Sequence, residues 1–162
     1  MPIAIKDSTI DITSEKLTKE LAKEFTKYLK GGEFVFLYGE MGVGKTTFVK
    51  YFINEYQKIN NLTQTEITSP TFSLLNEYQV KDIRIKHYDL FRINRKEDIN
   101  NLDIFEKDNK LITLIEWPQL IADKQDIKFI TLTFNYLNQL NDRTVDIKAV
   151  SYTHLTLPTR KL

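Results

Sequence analysis

The chain has 162 residues, 23 of them basic and 22 acidic, with a formal net charge of +1 and no cysteine. Its length suits one domain with a buried core, and the even charge balance does not indicate direct, tight nucleic-acid binding. Disulfides, a thiol nucleophile and cysteine-based metal sites are excluded. Because the sequence also lacks a signal peptide and any apolar run of about 18 residues, we expect a cytoplasmic protein with no membrane span.

The N-terminal part of the chain predicts short extended segments followed by an amphipathic helix. Residues 3–6 and 10–12 are the extended segments, and Thr13 or Ser14 is suited to cap the helix. The glycines at 31 and 32 end it. The apolar face of this helix consists of Leu17, Leu21, Phe25, Tyr28 and Leu29.

The next segment contains a phosphate-binding motif. Residues 33–38 predict a buried parallel strand, and residues 46–53 have apolar side chains at helical spacing. Between them, residues 39–46 have the sequence Gly-Glu-Met-Gly-Val-Gly-Lys-Thr, which matches the pattern G-x-x-x-x-G-K-[ST]. The glycines let backbone amides point at phosphate oxygens, and the helix N-terminus adds partial positive charge. The motif predicts a nucleoside triphosphate held by Lys45, with Mg²⁺ held by the hydroxyl of Thr46.

The remaining elements are mostly strands. Pro70 keeps its neighbours out of a helix, and residues 74–80 and 83–88 predict a hairpin. Further strands are predicted at 111–115, 128–134 and 144–150, and short amphipathic helices within 95–107 and from 118 to 123.

The last stretch, residues 151–162, differs from the rest of the chain. It has no acidic residue and contains one of the two histidines. We place a single domain at residues 1–150. A last strand and a non-native extension from cloning or sequence assembly are equal interpretations of the tail.

Two carboxylates are candidates for the second acidic group that a phosphate-binding loop needs near Mg²⁺. Glu116 directly follows the apolar run 111–115 and is the favoured metal-shell residue. Asp89 follows a more polar strand and is assigned to orienting the attacking water or to completing the metal shell. Its alternatives are a helix cap or an ion pair with Arg92.

Three further features stay open from the residues alone. The hydroxyls of Ser69 and Thr71, on either side of Pro70, suit a switch loop that senses the γ-phosphate, although spacing alone favours an ordinary polar turn. His87 is more typical of packing or hydrogen bonding within a strand than of catalysis. Trp117 is either a core aromatic residue or an exposed platform beside the nucleotide or a partner.

Four motifs occur in a characteristic order along residues 5–150. They are G-E-M-G-V-G-K-T-T-F at 39–48, S-P-T-F at 69–72, H-Y-D-L-F-R at 87–92 and L-I-E-W-P at 114–118. Together they resemble the TsaE family, the small ATPase subunit of the bacterial machinery that makes threonylcarbamoyladenosine at position 37 of tRNAs reading codons that begin with adenine. The resemblance implies an α/β, P-loop NTPase-like three-layer sandwich with a central, mostly parallel sheet and one antiparallel hairpin.

The resemblance also implies an activity and a set of partners. It implies ATP hydrolysis with Mg²⁺ that is weak alone, and binding to a TsaD-like transferase and its inactive TsaB-like paralogue, with tRNA contacted only indirectly or weakly. By motif matching, Lys45, Asp89 and Glu116 are catalytic, Thr46 and Glu116 hold the metal, and residues 69–71 form the switch loop. The implied cofactor-binding residues are Thr18, Glu40, Met41, Gly42, Val43, Gly44, Lys45, Thr46, Thr47 and Trp117.

Two other functions remain as alternatives. A P-loop small-molecule kinase shares the loop but usually brings several arginines in a lid, and this chain has few: Arg84, Arg92, Arg95, Arg143 and Arg160. A nucleotide-gated binding module would need ATP occupancy without essential hydrolysis. No arginine finger is evident in the sequence, so we expect a partner to complete the site.

Overall fold

The sheet and helices occupy residues 8–123, 127–138 and 142–151, which a computed structural model describes. The strands are β1 (Ser8–Asp11), β2 (Phe34–Tyr38), β3 (Leu75–Val80), β4 (Ile83–Asp89), β5 (Leu111–Glu116), β6 (Lys128–Leu137) and β7 (Asp142–Ser151). The helices are α1 (Glu15–Tyr28) and α2 (Lys45–Ile59), with 3₁₀ segments at Lys96–Leu102 and Pro118–Leu120. The predicted extended segment 3–6 and the tail from residue 152 onward lie outside the described residues.

The seven described strands form one sheet in the order β1-β7-β6-β2-β5-β4-β3. The four central strands, β6, β2, β5 and β4, run parallel to one another. Antiparallel strands flank them on both sides: β3 beside β4, and β7 and β1 beside β6. The predicted α/β class and the β3–β4 hairpin are confirmed, and β6 with β7 forms a further antiparallel pair.

Helix α1 begins where the sequence offers a cap. The side chain of Ser14 accepts a hydrogen bond from the backbone N–H of Leu17 at 3.2 Å, so Ser14 and not Thr13 is the N-cap. Glu15 in the first turn and Lys27 in the last turn complement the helix dipole. Neither α1 nor α2, the two α-helices among the described residues, combines the length and the apolar character of a membrane-spanning helix.

The two faces of the sheet are covered differently. Helices α1 and α2 pack together on one face, where Phe48 meets Phe25 edge-on at 5.6 Å and Phe134 of β6 at 6.1 Å between ring centroids. The other face is covered by the 3₁₀ segments and their loops, and the hydroxyl of Tyr88 donates to the carbonyl of Leu102 at 2.7 Å. The predicted short helices therefore form this third layer as 3₁₀ turns.

The register of the central strands brings the two candidate carboxylates and the glycine motif to the same edge of the sheet. Leu37 of β2 and Asp89 of β4 both pair with Glu116 of β5. The carboxyl ends of three parallel strands thus meet at one edge of the sheet, where ligands bind in open α/β folds. The segment that follows β2 is the glycine motif, so the motif and both candidate carboxylates share this edge.

Replacing Phe48 by alanine tests the packing between the helices and the sheet. Because Phe48 is fully buried where α1, α2 and β6 meet, Phe48→Ala should lower the free energy of unfolding by about 3–5 kcal/mol in urea denaturation. Phe72 is 85% exposed, and the control Phe72→Ala should change it by less than ~0.5 kcal/mol. Equal effects of the two substitutions would contradict this packing.

Candidate functional site

Residues 39–44 form a loop, here called the glycine loop, whose backbone requires glycine at three positions. Gly39, Gly42 and Gly44 have φ angles of 143°, 81° and 123°, in the region that residues with a side chain rarely adopt. A Cβ atom at Gly39 would lie 2.8 Å from the carbonyl oxygen of Phe134 and 2.8 Å from Cγ1 of Val43. The loop can therefore approach β6 closely only because residue 39 lacks a side chain.

The glycine loop ends at an uncapped helix N-terminus. Helix α2 begins at Lys45. Its N-cap residue, Gly44, has no side chain that could accept a hydrogen bond from the first turn, and that turn contains no acidic residue. The first N–H groups of a helix have no partners within it and bear partial positive charge. Together with the glycine loop that precedes it, this helix N-terminus is suited to bind an anion such as a phosphate group.

Lys45 is a buried cation, only 4% exposed. Its ammonium group donates to the carbonyl of Gly39 and lies 3.6 Å from the centroid of the Trp117 ring. Trp117 adopts a left-handed backbone conformation, with φ 58° and ψ 57°, which is uncommon for a non-glycine residue. Burial lowers the pKa of Lys45, and the charges of Glu116 and Asp89 act in the opposite direction.

Thr46 and Glu116 join the start of α2 to the end of β5. The hydroxyl oxygen of Thr46 lies 2.9 Å from Oε1 and 3.1 Å from Oε2 of Glu116, which accepts its hydrogen. Oε2 also lies 2.6 Å from Nε2 of His87 on β4. A threonine oxygen that donates its hydrogen keeps its lone pairs, so Thr46 remains able to coordinate a metal ion while bonded to Glu116.

Asp89 lies at the end of β4 with both carboxylate oxygens hydrogen-bonded. Oδ1 accepts from the backbone N–H of Phe91 at 3.0 Å, and Oδ2 from the hydroxyl of Ser69 at 3.4 Å. Since Ser69 has one hydroxyl hydrogen, Thr71, whose oxygen is 2.9 Å from it, is the donor in their contact. Burial raises the pKa of Asp89, while the hydrogen bond from Phe91 acts the other way. Asp89 is thus linked directly to the proposed switch loop.

One cleft collects most of the predicted site residues. Trp117 forms part of its wall, half-buried against Phe91, with ring centroids 4.8 Å apart, so it combines features of the core and platform interpretations. The lining residues are Met41, Gly42, Gly44, Lys45, Thr46, Thr47, Ser69, Thr71, Asp89, Phe91, Glu116 and Trp117.

Four predicted residues are not among those that line this cleft. Thr18 is buried within α1, where its hydroxyl donates to the carbonyl of Ser14 at 3.4 Å. Val43 packs its side chain into the core, Pro70 is buried, and Glu40 is exposed. Their predicted roles toward a nucleotide stay predictions.

Two side chains that the sequence analysis assigned no role contact the glycine loop. A guanidinium nitrogen of Arg143 donates to the carbonyl of Val43 at 3.4 Å, and another to the carbonyl of Thr13 at 3.2 Å. The hydroxyl of Tyr136 donates to the carbonyl of Gly42 at 3.2 Å. These contacts depend on where β6 and β7 lie beside the loop, and no local pattern signals them.

The donor set fits a magnesium ion that is held jointly with a nucleotide. Among the described residues, no group of three or more His, Cys, Asp or Glu side chains forms a metal cluster of its own. Mg²⁺ at nucleotide sites takes one or two protein oxygens and completes its shell with phosphate oxygens and water. The Thr46 hydroxyl and the Glu116 carboxylate, which line the same cleft as the glycine loop, supply that minimal set.

Sequence comparisons place the chain in a family. The profile described as "Threonylcarbamoyl adenosine biosynthesis protein TsaE" matches residues 12–145. The chain belongs to the TsaE family. The TsaE protein of Rickettsia typhi is 36% identical over 141 residues, which cover 87% of this chain and 94% of that protein. The TsaE protein of Aquifex aeolicus is 36% identical over 108 residues, covering 67% of this chain and 74% of that protein.

A solved structure shares the fold. YdiB of Bacillus subtilis superposes with a TM-score of 0.70, covering 92% of this chain and 89% of its own. Its sequence identity of 23% supports the fold alone. Both related proteins named above are described as tRNA threonylcarbamoyladenosine biosynthesis proteins, so the family resemblance inferred from the four motifs is confirmed.

Asp89→Asn tests the electrostatics of the site. The variant keeps an acceptor for the N–H of Phe91. It removes the negative charge of the Asp89 carboxyl group, whose pKa is raised by burial. Above that raised pKa the ionised carboxylate favours unfolding. Without nucleotide, the variant should therefore have a higher Tm than the wild type at about pH 7.5. The gain should shrink as the pH falls toward the ordinary value of 3.8, as measured by differential scanning fluorimetry.

Asp82→Asn is the control with the opposite sign. The hydrogen bond from Lys110 lowers the pKa of Asp82, which is fully exposed, so its charge stabilises the fold above pH 3.8. This variant should show no gain in Tm at about pH 7.5. A Tm for Asp89→Asn at or below that of the wild type would show that the buried charge is not unfavourable.

Proposed function

We propose that the protein is a Mg²⁺-dependent ATPase that regulates or resets the complex that places the threonylcarbamoyl group on adenosine 37 of tRNAs reading codons that begin with adenine. The observation that supports this most is the contact of the Thr46 hydroxyl with both oxygens of Glu116, beside the buried Lys45 and at the mouth of the glycine loop. Family membership supports the pathway.

Each group of residues in the cleft has a separate role in hydrolysis. The amides of the glycine loop and α2 bind the phosphates, and Lys45 neutralises charge on the transferring phosphoryl group. Thr46 and Glu116 would hold Mg²⁺, which would supply positive charge that stabilises the phosphates during transfer. Asp89 orients the attacking water, and its raised pKa makes its carboxylate a better proton acceptor.

The positions of the arginines support slow ATP turnover by the chain alone. None of the arginines in the described ranges lines the cleft. Arg92 stacks on Phe72 at 4.8 Å, Arg95 pairs with Asp98, and Arg143 contacts the backbone of the glycine loop. An arginine finger contributes about 10³–10⁵ in rate, so its absence from the lining favours a partner that completes the site. The same absence disfavours a kinase with an arginine lid.

An exposed surface beside the switch loop supports a protein partner. Phe72, 85% exposed, follows residues 69–71 directly, and Met41 at the cleft mouth is 66% exposed. Exposed apolar side chains beside a site contribute to a protein-binding surface when they form a contiguous patch. We propose that the TsaD-like transferase and its TsaB-like paralogue bind here, and that tRNA is contacted only indirectly or weakly.

The proposal is tested by phosphate release from ATP with and without the two transferase subunits. The wild type should be slow alone and at least about tenfold faster with the subunits, because they complete the site. Lys45→Ala should lose nucleotide binding, and Asp89→Asn should bind ATP with turnover reduced by about 10²-fold or more. Phe72→Ala should keep the basal rate and lose most of the stimulation, since Phe72 does not line the cleft and is 85% exposed beside the predicted switch loop.

Three results would contradict the proposal in different ways. Full turnover without the subunits, unchanged by adding them, would remove the partner-dependent step. Phosphate transferred to an added nucleoside rather than released would favour the kinase. Normal tRNA modification by Asp89→Asn despite its slow turnover would favour a binding module gated by ATP occupancy.

A further inference from the structure

His87 lies behind the cleft rather than in its wall. It is fully buried on β4, where it pairs with Leu114 of β5 and Asn76 of β3. Its Nε2 lies 2.6 Å from Oε2 of Glu116. Its Nδ1 is also buried and has no hydrogen-bond partner among the described residues. A histidine used only for packing would not need one nitrogen directed at the carboxylate that contacts Thr46.

The contacts of the two ring nitrogens indicate which one bears hydrogen. A carboxylate oxygen is an acceptor, so Nε2 is the donor in this contact. A hydrogen on Nδ1 would be a buried donor without a partner, which costs free energy. The contact with Glu116 therefore requires a hydrogen on Nε2, while Nδ1 has no hydrogen-bond partner among the described residues.

His87 and Thr46 together determine the orientation of Glu116. Oε2 accepts from His87 at 2.6 Å, whereas the Thr46 hydroxyl is closer to Oε1, at 2.9 Å, than to Oε2, at 3.1 Å. Oε2 is therefore anchored toward β4, and Oε1 faces Thr46 at the cleft. Without His87, a carboxylate that is only 2% exposed would lose its shortest hydrogen bond and the constraint on its rotation.

We propose that His87 is a positioning residue that holds the Glu116 carboxylate in the orientation required for Mg²⁺ at Thr46. The inference rests on the Mg²⁺–nucleotide site proposed above. Residues that orient a metal ligand through a hydrogen bond typically change metal affinity by 10–100-fold when they are replaced. The effect of His87 should therefore appear in the Mg²⁺-dependent part of nucleotide binding and not in phosphate binding as such.

The test measures the Kd for ATP by isothermal titration calorimetry, once with excess Mg²⁺ and once with EDTA. His87→Leu, which has no donor, should raise the Kd with Mg²⁺ by about 10–100-fold and leave the Kd in EDTA unchanged. His87→Gln should bind nearly as the wild type, because its amide nitrogen reaches about as far as Nε2. His87→Asn, with a shorter amide, should behave as His87→Leu.

Two further variants separate positioning from a structural role. In a Glu116→Gln background, His87→Leu should add little, because the carboxylate that it positions is already gone. Thr113→Val is the matched control, since Thr113 is also buried on a central strand with an unpartnered hydroxyl. It should leave the Mg²⁺ dependence unchanged. The Tm of each variant without nucleotide shows whether it is folded, and the pair His87→Gln and His87→Asn decides the matter if His87→Leu is unfolded.

The possible outcomes distinguish this inference from the proposed function. If the wild type does not bind ATP, or binds it equally with and without Mg²⁺, the proposed function fails. If the wild type shows the Mg²⁺ dependence and His87→Leu and His87→Asn keep it, only the role of His87 is overturned. An equal loss in Mg²⁺ and in EDTA, or a full effect of His87→Leu in the Glu116→Gln background, likewise overturns positioning through Glu116.

Discussion

The hydrogen bond between Thr46 and Glu116 is the contact on which the rest of the site depends. It joins the first turn of α2 to the end of β5, across 70 residues of sequence. Because β4 and β2 are both in register with β5 at Glu116, the same point aligns Asp89 and the start of the glycine loop. The fold thus brings the carboxyl ends of β2, β5 and β4 close to the N-terminus of α2.

This arrangement buries three ionisable side chains at the edge of the sheet. Lys45, Asp89 and Glu116 are each at least nine-tenths buried, and burial shifts the pKa of Lys45 down and that of Asp89 up. Such groups are unfavourable in a free protein unless they compensate one another. A ligand with its own charges relieves that cost, so the same electrostatics that weaken the free fold favour binding.

The parts of this architecture whose causes are local could be predicted from the sequence. The strand–loop–helix around residues 39–46, the β3–β4 hairpin and the placement of Glu116 after an apolar strand all follow from short-range patterns. The roles of His87, Tyr136 and Arg143 could not be predicted in this way, because each depends on strand register or on packing between distant segments. The layer opposite α1 and α2 differed from the prediction because its short amphipathic runs form 3₁₀ segments, which are common in short connectors.

We propose that Thr46 and Glu116 mark the position of Mg²⁺ when a nucleotide binds. A crystal structure with Mg²⁺ and a non-hydrolysable ATP analogue tests it most directly. In that structure we expect phosphates within the glycine loop and Mg²⁺ bound to the Thr46 hydroxyl oxygen, with Glu116 contacting the ion directly or through one water. A nucleotide bound elsewhere, or a metal ion that contacts neither residue, would contradict it.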